Sequence, residues 1–186
     1  PIEKVAHQVL DLAVEWASLP MLPGREPVSK LVQPMLGVPA RILLNEELLD
    51  STFSTCPGLE QTAIAHEAGH GVYHLDRGRL YQLDLGLGSA GDFVSEQDSF
   101  TTKLAEALGR RGPVGDDWWR EWQAHTFMRN ILMPRRLLLP LLEGRRYLSW
   151  TGPGGLYDVR EQCGVTISAL VVHLEKLDYI SVDDRR

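Results

Sequence analysis

The chain has 186 residues, enough for one substantial core, and its 44% apolar and 24% charged residues are typical of a folded globular protein. Its formal net charge of −6 argues against general nucleic-acid binding, which needs a basic surface to neutralise phosphates. No apolar run reaches the roughly 20 residues of a membrane span, no signal-peptide pattern is present, and two cysteines build no disulfide scaffold, so we expect a cytoplasmic protein.

The first 29 residues predict a helix and an irregular connector. Apolar side chains recur at helical spacing through residues 2–19, which predicts one amphipathic helix. A stretch rich in proline and glycine follows, and no regular element is expected there. The side chains that define the helical spacing are Val5, Val9, Leu12 and Trp16.

Two main elements are predicted before residue 75. The apolar residues 41–44 lead into Asn45, a turn former, and predict a strand, whereas residues 31–36 predict only a short helical turn. The chain breaks at Pro57 and Gly58. Residues 59–74 then predict a long helix.

Residues 76–91 are rich in glycine and leucine and predict a loop with one or two short strands near residues 80–85. After this loop, Ser95 begins a pattern that resembles a capping box and predicts a helix that ends at Gly109.

Helices dominate the rest of the chain. The first begins at Asp116 or Asp117 and ends at Pro134, and the last two are separated by a turn at Gly164. With the short strands, this pattern predicts an α+β protein that is mainly helical and contains a small antiparallel sheet. The helices are predicted over residues 117–133, 135–142, 156–162 and 166–177.

The pentapeptide His66-Glu67-Ala68-Gly69-His70 points most directly to chemistry, because it has the form H-E-x-x-H inside a predicted helix. Residues four apart share one face of a helix, so both imidazoles can reach one metal ion at about 2.0–2.1 Å. Glu67 is directed to the side, where it can hold an attacking water. Gly69 costs about 1 kcal/mol in a helix and is best tolerated where another backbone packs close. An ordinary polar helix face without a metal is the alternative.

A catalytic zinc site needs a third protein ligand. His74 is unsuitable, because eight residues along a helix separate it from His66 by about 12 Å. Glu121 is the stronger candidate, since it lies on an otherwise apolar face of the predicted helix 117–133. The alternative is a glutamate at the edge of that face that reaches solvent. Glu96, near a predicted helix start, is a rival ligand.

His125 lies one helical turn after Glu121 on the same face, which continues with Met128 and Leu132. It could hydrogen-bond and orient a metal ligand. A histidine that simply fills the core is an equally good interpretation.

Two motifs together resemble the ImmA/IrrE family of metallopeptidases. Members typically show an H-E-x-x-H helix followed by E-x-x-A-N-x-F-A-x-x-L-L-M-P, and the resemblance here covers roughly residues 30–180. Two departures are the 51-residue separation of His70 and Glu121, which marks residues 76–115 as an insertion, and His125 in place of the usual Asn. The residues that match the second motif are Glu121, Ala124, Phe127, Leu132, Met133 and Pro134.

The resemblance implies a zinc-dependent endopeptidase with a zincin-like active-site helix, with Mn²⁺ as a second candidate metal. It implies that His66, His70 and Glu121 bind the metal and that Glu67 is the general base and acid. Candidates for orienting a ligand or stabilising the oxyanion are His125, Tyr147, Tyr157 and Tyr73. The implied partner is a protein substrate, a transcriptional repressor cleaved at a limited site in a stress response.

On this interpretation residues 1–186 form a single metallopeptidase domain. It consists of the N-terminal helix and connector (1–29), a catalytic core (30–150) with an insertion at about 76–115, and a C-terminal helix-turn-helix-like segment (151–186). From Tyr157 onward that segment carries four basic and six acidic side chains, so we expect no direct DNA binding, and no membrane association either.

Two other functions remain open at the level of sequence. A catalytically silent, metal-stabilised protein-binding module would keep the metal ligands and lack turnover. A metal-free interaction domain would lack both.

Overall fold

The computed structural model describes residues 2–19, 27–34, 38–75, 93–96, 116–142 and 148–180. Within these ranges the chain forms six α-helices and a four-stranded sheet, which confirms a mixed α+β architecture. The helices are α1 (Ile2–Leu10), α2 (Leu59–His74), α3 (Asp116–Leu132), α4 (Arg135–Leu142), α5 (Leu156–Cys163) and α6 (Ile167–Lys176). The strands are β1 (Ala13–Ala17), β2 (Pro27–Val32), β3 (Arg41–Asn45) and β4 (Phe93–Glu96).

The sheet has the strand order β1-β3-β2-β4. It is mixed, so the prediction of an antiparallel sheet is wrong. Strand β1 runs parallel to β3, while β2 is antiparallel to both β3 and β4. The buried Asn45 ends β3, where its Nδ2 donates to the Pro27 carbonyl at 3.0 Å and its Oδ1 accepts from the Leu19 N–H at 3.3 Å. A short 3₁₀ turn (Glu46–Leu48) and a π-helical turn (Leu49–Phe53) follow.

The prediction of one helix over residues 2–19 is wrong in its second half. Helix α1 ends at Leu10 because Asp11 adopts a left-handed backbone with φ of 55°, and the Leu12 N–H donates to the Ala6 carbonyl at 2.9 Å. Asp is among the few residues that tolerate this conformation. The chain then continues as β1, whose backbone groups pair with those of β3.

Of the other predicted elements, some are wrong, some are confirmed and some lie outside the described part of the chain. The helical turn over residues 31–36 is wrong, because Leu31 and Val32 belong to β2, and the helix expected to begin at Ser95 is wrong, because Ser95 lies in β4. The strands predicted near residues 80–85 and the helix residues beyond Glu96 lie outside the described part. The strand at 41–44, the helix at 59–74 and the later helices are confirmed. No helix of the described ranges has the length and apolarity needed to cross a bilayer.

Helix α2 lies at the centre of the core and contacts α1, α3 and strands β2, β3 and β4. Its contact with α3 is especially close. A Cβ atom on Gly69 would lie 2.8 Å from the Ala124 Cα and 2.9 Å from the Ala124 carbonyl oxygen. The expectation that another backbone packs against Gly69 is therefore confirmed.

The C-terminal helices α5 and α6 bring the chain into contact with α2 and with the end of α3. The Thr166 N–H donates to Thr62 Oγ1 of α2 at 3.4 Å, and His173 Nε2 lies 3.0 Å from the Met133 carbonyl, just after α3. Helix α6 buries Leu170 and Leu174 completely, so this helix is a packing surface.

We predict that Gly69→Ala lowers the free energy of unfolding despite the better helix propensity of alanine. The added methyl meets rigid backbone of α3, and overpacking of this kind costs about 1–3 kcal/mol against a propensity gain of about 1 kcal/mol. Urea unfolding measures the difference. Gly71→Ala is the matched control, because its Cβ would meet the flexible side chain of Leu12, with Cδ1 at 2.7 Å, rather than backbone. Equal effects of the two substitutions would contradict a backbone contact at Gly69.

The buried His173 predicts a pH dependence of stability. Burial lowers its pKa, so below pH of about 6.5 the unfolded chain binds a proton that the folded chain does not. Unfolding free energy should therefore fall as the pH drops. We expect His173→Gln, which keeps a donor for the Met133 carbonyl, to reduce this fall between pH 7.5 and 5. Unfolding curves that shift equally with pH in both proteins would exclude this contribution.

Candidate metal centre

Helix α2 presents both histidines of the pentapeptide on one buried face. His66 and His70 are each only 1% exposed, and their Nε2 atoms lie 3.1 Å apart. Two ring nitrogens at this distance either share a proton or direct their lone pairs to one cation. Of the small and apolar residues in and around the pentapeptide, Ile64, Ala65 and Ala68 are buried, whereas Val72 is 41% exposed.

Glu121 reaches the two histidines from α3. Its Oε2 lies 3.3 Å from His66 Nε2, and its Oε1 lies 3.4 Å from His70 Nε2. The side chain is 33% exposed, so it lies at the edge of its helix face, yet the carboxylate faces the histidines. The three residues therefore form a triangle of side chains, in which Glu121 presents a different oxygen to each histidine and is the most exposed member.

The triangle has dimensions that suit a metal ion. A tetrahedral ion with bonds of about 2.0–2.1 Å, as Zn²⁺ makes to imidazole and carboxylate, keeps its ligand atoms about 3.3–3.4 Å apart. Here the two imidazole nitrogens lie 3.1 Å apart, and they lie 3.3 and 3.4 Å from the two different oxygens of Glu121. Two imidazoles and one carboxylate are also a ligand set that catalytic zinc sites use. The donor set and its spacing therefore fit.

His125 lies beside this triangle and offers another nitrogen. Its Nε2 is 4.0 Å from Glu121 Oε2, and its ring centroid is 4.4 Å from that of His66. The ligand atoms of His66, Glu121 and His125 all lie within 4.8 Å of one another, so this group could hold a metal ion. The buried position of His125 fits both interpretations made from the sequence.

The charges of the cluster match the forms that bind metals. Burial alone would raise the pKa of Glu121, but hydrogen bonds from His66 and His70 outweigh it and hold that pKa well below its usual range. Burial lowers the pKa of His70 to about 4 and that of His125 well below its ordinary value. Near pH 7 an ionised Glu121 carboxylate therefore faces the neutral imidazole of His70 and lies near that of His125, and these are states suited to coordination.

The Glu67 carboxyl group contacts strand β2 of the sheet. The Ser29 hydroxyl of β2 donates to Glu67 Oε1 at 2.8 Å, and the other oxygen, Oε2, is buried and accepts no hydrogen bond from the described residues. Burial raises the pKa of Glu67 to about 7, against the lowering effects of His66 charge and the Ser29 hydrogen bond. The carboxyl group thus has one oxygen held in place and one without a protein donor.

The remaining candidates lie elsewhere. Tyr157 on α5 contacts Trp150 and Arg160, with no described contact to the histidines, and Tyr147 lies outside the described residues. Tyr73 is exposed and packs its ring edge against Phe127. Glu96 ends β4, opposite Pro27 of β2, and its side chain lies outside the described part.

Ser29 was missed by the analysis of the sequence. It follows a segment rich in proline and glycine, and a single serine there carries no signal of a distant partner. Its contact depends on the antiparallel pairing of β2 with β3, which brings it under α2. Only the pairing of distant strands could have revealed it.

Comparison of the chain with protein-family models, with curated proteins and with solved structures found no match. The resemblance to the ImmA/IrrE metallopeptidases therefore stays an expectation based on the two motifs.

We predict that Glu121→Gln weakens zinc binding strongly. The amide loses the charge that complements a cation, and loss of a direct ligand should exceed the 10–100-fold penalty typical of residues that only support ligands. Isothermal titration with Zn²⁺ measures the affinity. Glu175→Gln on α6 provides the same chemical change away from the cluster and should bind zinc as the parent chain does. An unaltered affinity of Glu121→Gln would remove Glu121 from the ligand set.

Proposed function

We propose that this protein is a zinc-dependent endopeptidase that hydrolyses a peptide bond in a protein substrate. The observation that carries the proposal is the triangle of His66, His70 and Glu121 with the separate, buried carboxyl group of Glu67 next to it in the chain. One carboxylate is available to bind a metal and another to move protons. A purely structural metal site would need only the first.

The ligands we propose are His66, His70 and Glu121, because their mutual distances are shorter than the 4.0 Å from Glu121 to His125. A zinc ion held there would polarise a peptide carbonyl and acidify a water molecule. The 33% exposure of Glu121 gives a substrate access on that side. Mn²⁺ is the second candidate, and metal analysis of the purified chain distinguishes the two.

Glu67 is proposed as the general base and acid. Its Oε2 takes a proton from the attacking water, and the same oxygen delivers it to the amine that leaves. Ser29 holds Oε1 at 2.8 Å, so the carboxyl group keeps one orientation through both transfers.

His125 is proposed to support the cluster from its buried side. At 4.0 Å its Nε2 is too far from Glu121 to hydrogen-bond, but its ring packs against that of His66. This ring contact limits the orientations that the imidazole of His66 can adopt. His125 is also a candidate donor to an oxyanion, because its Nε2 lies 4.0 Å from a proposed ligand atom.

The substrate class comes from the resemblance to ImmA/IrrE metallopeptidases. It suggests that the substrate is a transcriptional repressor that is cleaved at a limited site. It also suggests that this chain has a zincin-like fold and acts in the cytoplasm. The acidic C-terminal segment favours recognition of the repressor protein over recognition of DNA, and α6 directs Leu170 and Leu174 into the core. Its helix-turn-helix-like pattern is therefore proposed to serve packing.

We predict that Glu67→Gln abolishes hydrolysis while zinc binding persists. Loss of a general base typically costs about 10²–10⁴-fold in rate, and the amide cannot accept the proton. The measurement is cleavage of candidate repressors and peptide libraries by the zinc-loaded chain, followed by mass spectrometry. Glu60→Gln, in the first turn of the same helix, is the matched control and should retain activity.

Equal cleavage by Glu67→Gln and the parent chain would overturn the mechanism. Stoichiometric zinc that raises the melting temperature, with no turnover of any peptide, would favour the catalytically silent binding module instead. Neither bound metal nor turnover would favour a metal-free interaction domain.

A further inference from the structure

Each of the two helices at the metal centre carries a pair of metal-binding groups one turn apart. Helix α2 carries His66 and His70, and α3 carries Glu121 and His125. Residues four apart lie on one face of a helix, so the two groups of each pair lie on the same face. The proposed mechanism uses three of these groups as ligands and gives His125 no bond to the metal.

The backbones of the two helices are in contact at the level of both pairs. Gly69 lies between the two histidines of α2 in the sequence, and Ala124 lies between the two groups of α3. A Cβ atom on Gly69 would lie 2.8 Å from the Ala124 Cα. All four side chains therefore start from backbone near one point of the helix contact, which is the arrangement that a set of four ligands requires.

His125 lies close to the atoms of the other ligands. Its Nε2 is 4.0 Å from Glu121 Oε2, and its ring centroid is 4.4 Å from that of His66. Ligand atoms around a tetrahedral zinc ion lie about 3.3–3.4 Å apart, so the contact with Glu121 must shorten by about 0.6 Å for His125 to bind the same ion. Thermal motion displaces a well-ordered atom by about 0.5 Å along each axis, so a shift of this size needs no rearrangement of the helices.

We propose that His125 binds the metal as a fourth protein ligand in the resting protein and leaves it when an incoming group takes its position. The proposal rests on the metal centre of the proposed function and does not depend on hydrolysis. Four protein ligands close a zinc site, whereas a catalytic site keeps one position for water or substrate. In the absence of a substrate, His125 therefore holds the centre closed.

His125 is the ligand that leaves most easily. The ligand atoms of the other three residues lie 3.1 to 3.4 Å from one another, whereas Nε2 of His125 lies 4.0 Å from Glu121. Binding of His125 thus needs a movement that the other three do not, and its bond is the weakest. A nitrogen bound to the metal cannot donate to an oxyanion, so the two proposed roles of His125 belong to separate states of the protein.

Nuclear magnetic resonance identifies the histidines that bind the metal. The chain is produced with histidine that carries a spin-active nitrogen isotope and is loaded with a spin-active isotope of Cd²⁺, which splits the signal of every ring nitrogen bonded to it. We expect split signals from three histidines in the parent chain and from two in His125→Asn. His7→Asn on α1 is the matched control, because it makes the same change at an exposed position and should keep all three.

Two results of this measurement would overturn the fourth ligand. One is a parent chain in which only two histidines give split signals, and it needs no variant to be interpreted. The other is a set of three split signals that persists in His125→Asn, because the third histidine would then be a different one.

Azide binding to the cobalt-loaded chain tests whether His125 must leave. The visible absorption bands of bound Co²⁺ change when azide becomes a ligand. Azide has to displace His125 in the parent chain but not in His125→Asn, so we expect the variant to bind azide about tenfold or more tightly, and His7→Asn to bind it as the parent does. Equal or weaker binding by His125→Asn would indicate a histidine that only supports the cluster, and would overturn the proposal.

Peptide cleavage by the zinc-loaded parent, measured in parallel, separates this proposal from the peptidase function. Three split signals without turnover of any peptide would refute the peptidase function and support His125 as a ligand. Turnover by a chain in which only His66 and His70 give split signals would refute the fourth ligand alone. A parent chain without any split signal would overturn the metal centre, and the fourth ligand with it.

Discussion

The close contact of α2 with α3 at Gly69 and Ala124 is the constraint on which the candidate site depends. His66 lies one turn before Gly69 on α2, and Glu121 lies one turn before Ala124 on α3. Residues one turn apart share a helix face. The two helices can therefore bring a carboxylate within 3.3 Å of an imidazole only because no side chain separates their backbones.

Several polar groups of this interior are paired, and each pair offsets the free-energy cost of removing its members from water. Ser29 donates a hydrogen bond to Glu67, the ring nitrogen of His173 contacts the Met133 carbonyl, and the Glu121 carboxylate faces two histidines. Buried polar groups are tolerated when such partners are present.

Local patterns in the sequence predicted the helices that carry the ligands, and distant pairings limited the rest. The apolar spacing and the H-E-x-x-H motif were sufficient for α2, and the face containing Glu121 was sufficient for α3. The end of α1 depends on a left-handed Asp11, and β1 forms because β3 offers a parallel edge. The end of α1 and the formation of β1 both depend on contacts that the spacing of apolar residues in the sequence does not predict. The place of Ser29 beneath Glu67 was hidden for the same reason, while His125 could be placed near Glu121 but not given a role.

The ligands come from helices that are far apart in the chain, because Glu121 follows His70 by 51 positions. An ion bound by both helices would act as a cross-link that closes this long loop and ties local motion to global unfolding. Affinity for the ion and stability of the fold then become two measures of one equilibrium, and an ion at 100 times its dissociation constant would add about 2.7 kcal/mol to unfolding. Supply of the metal would thus set how long the protein persists, besides what it can do.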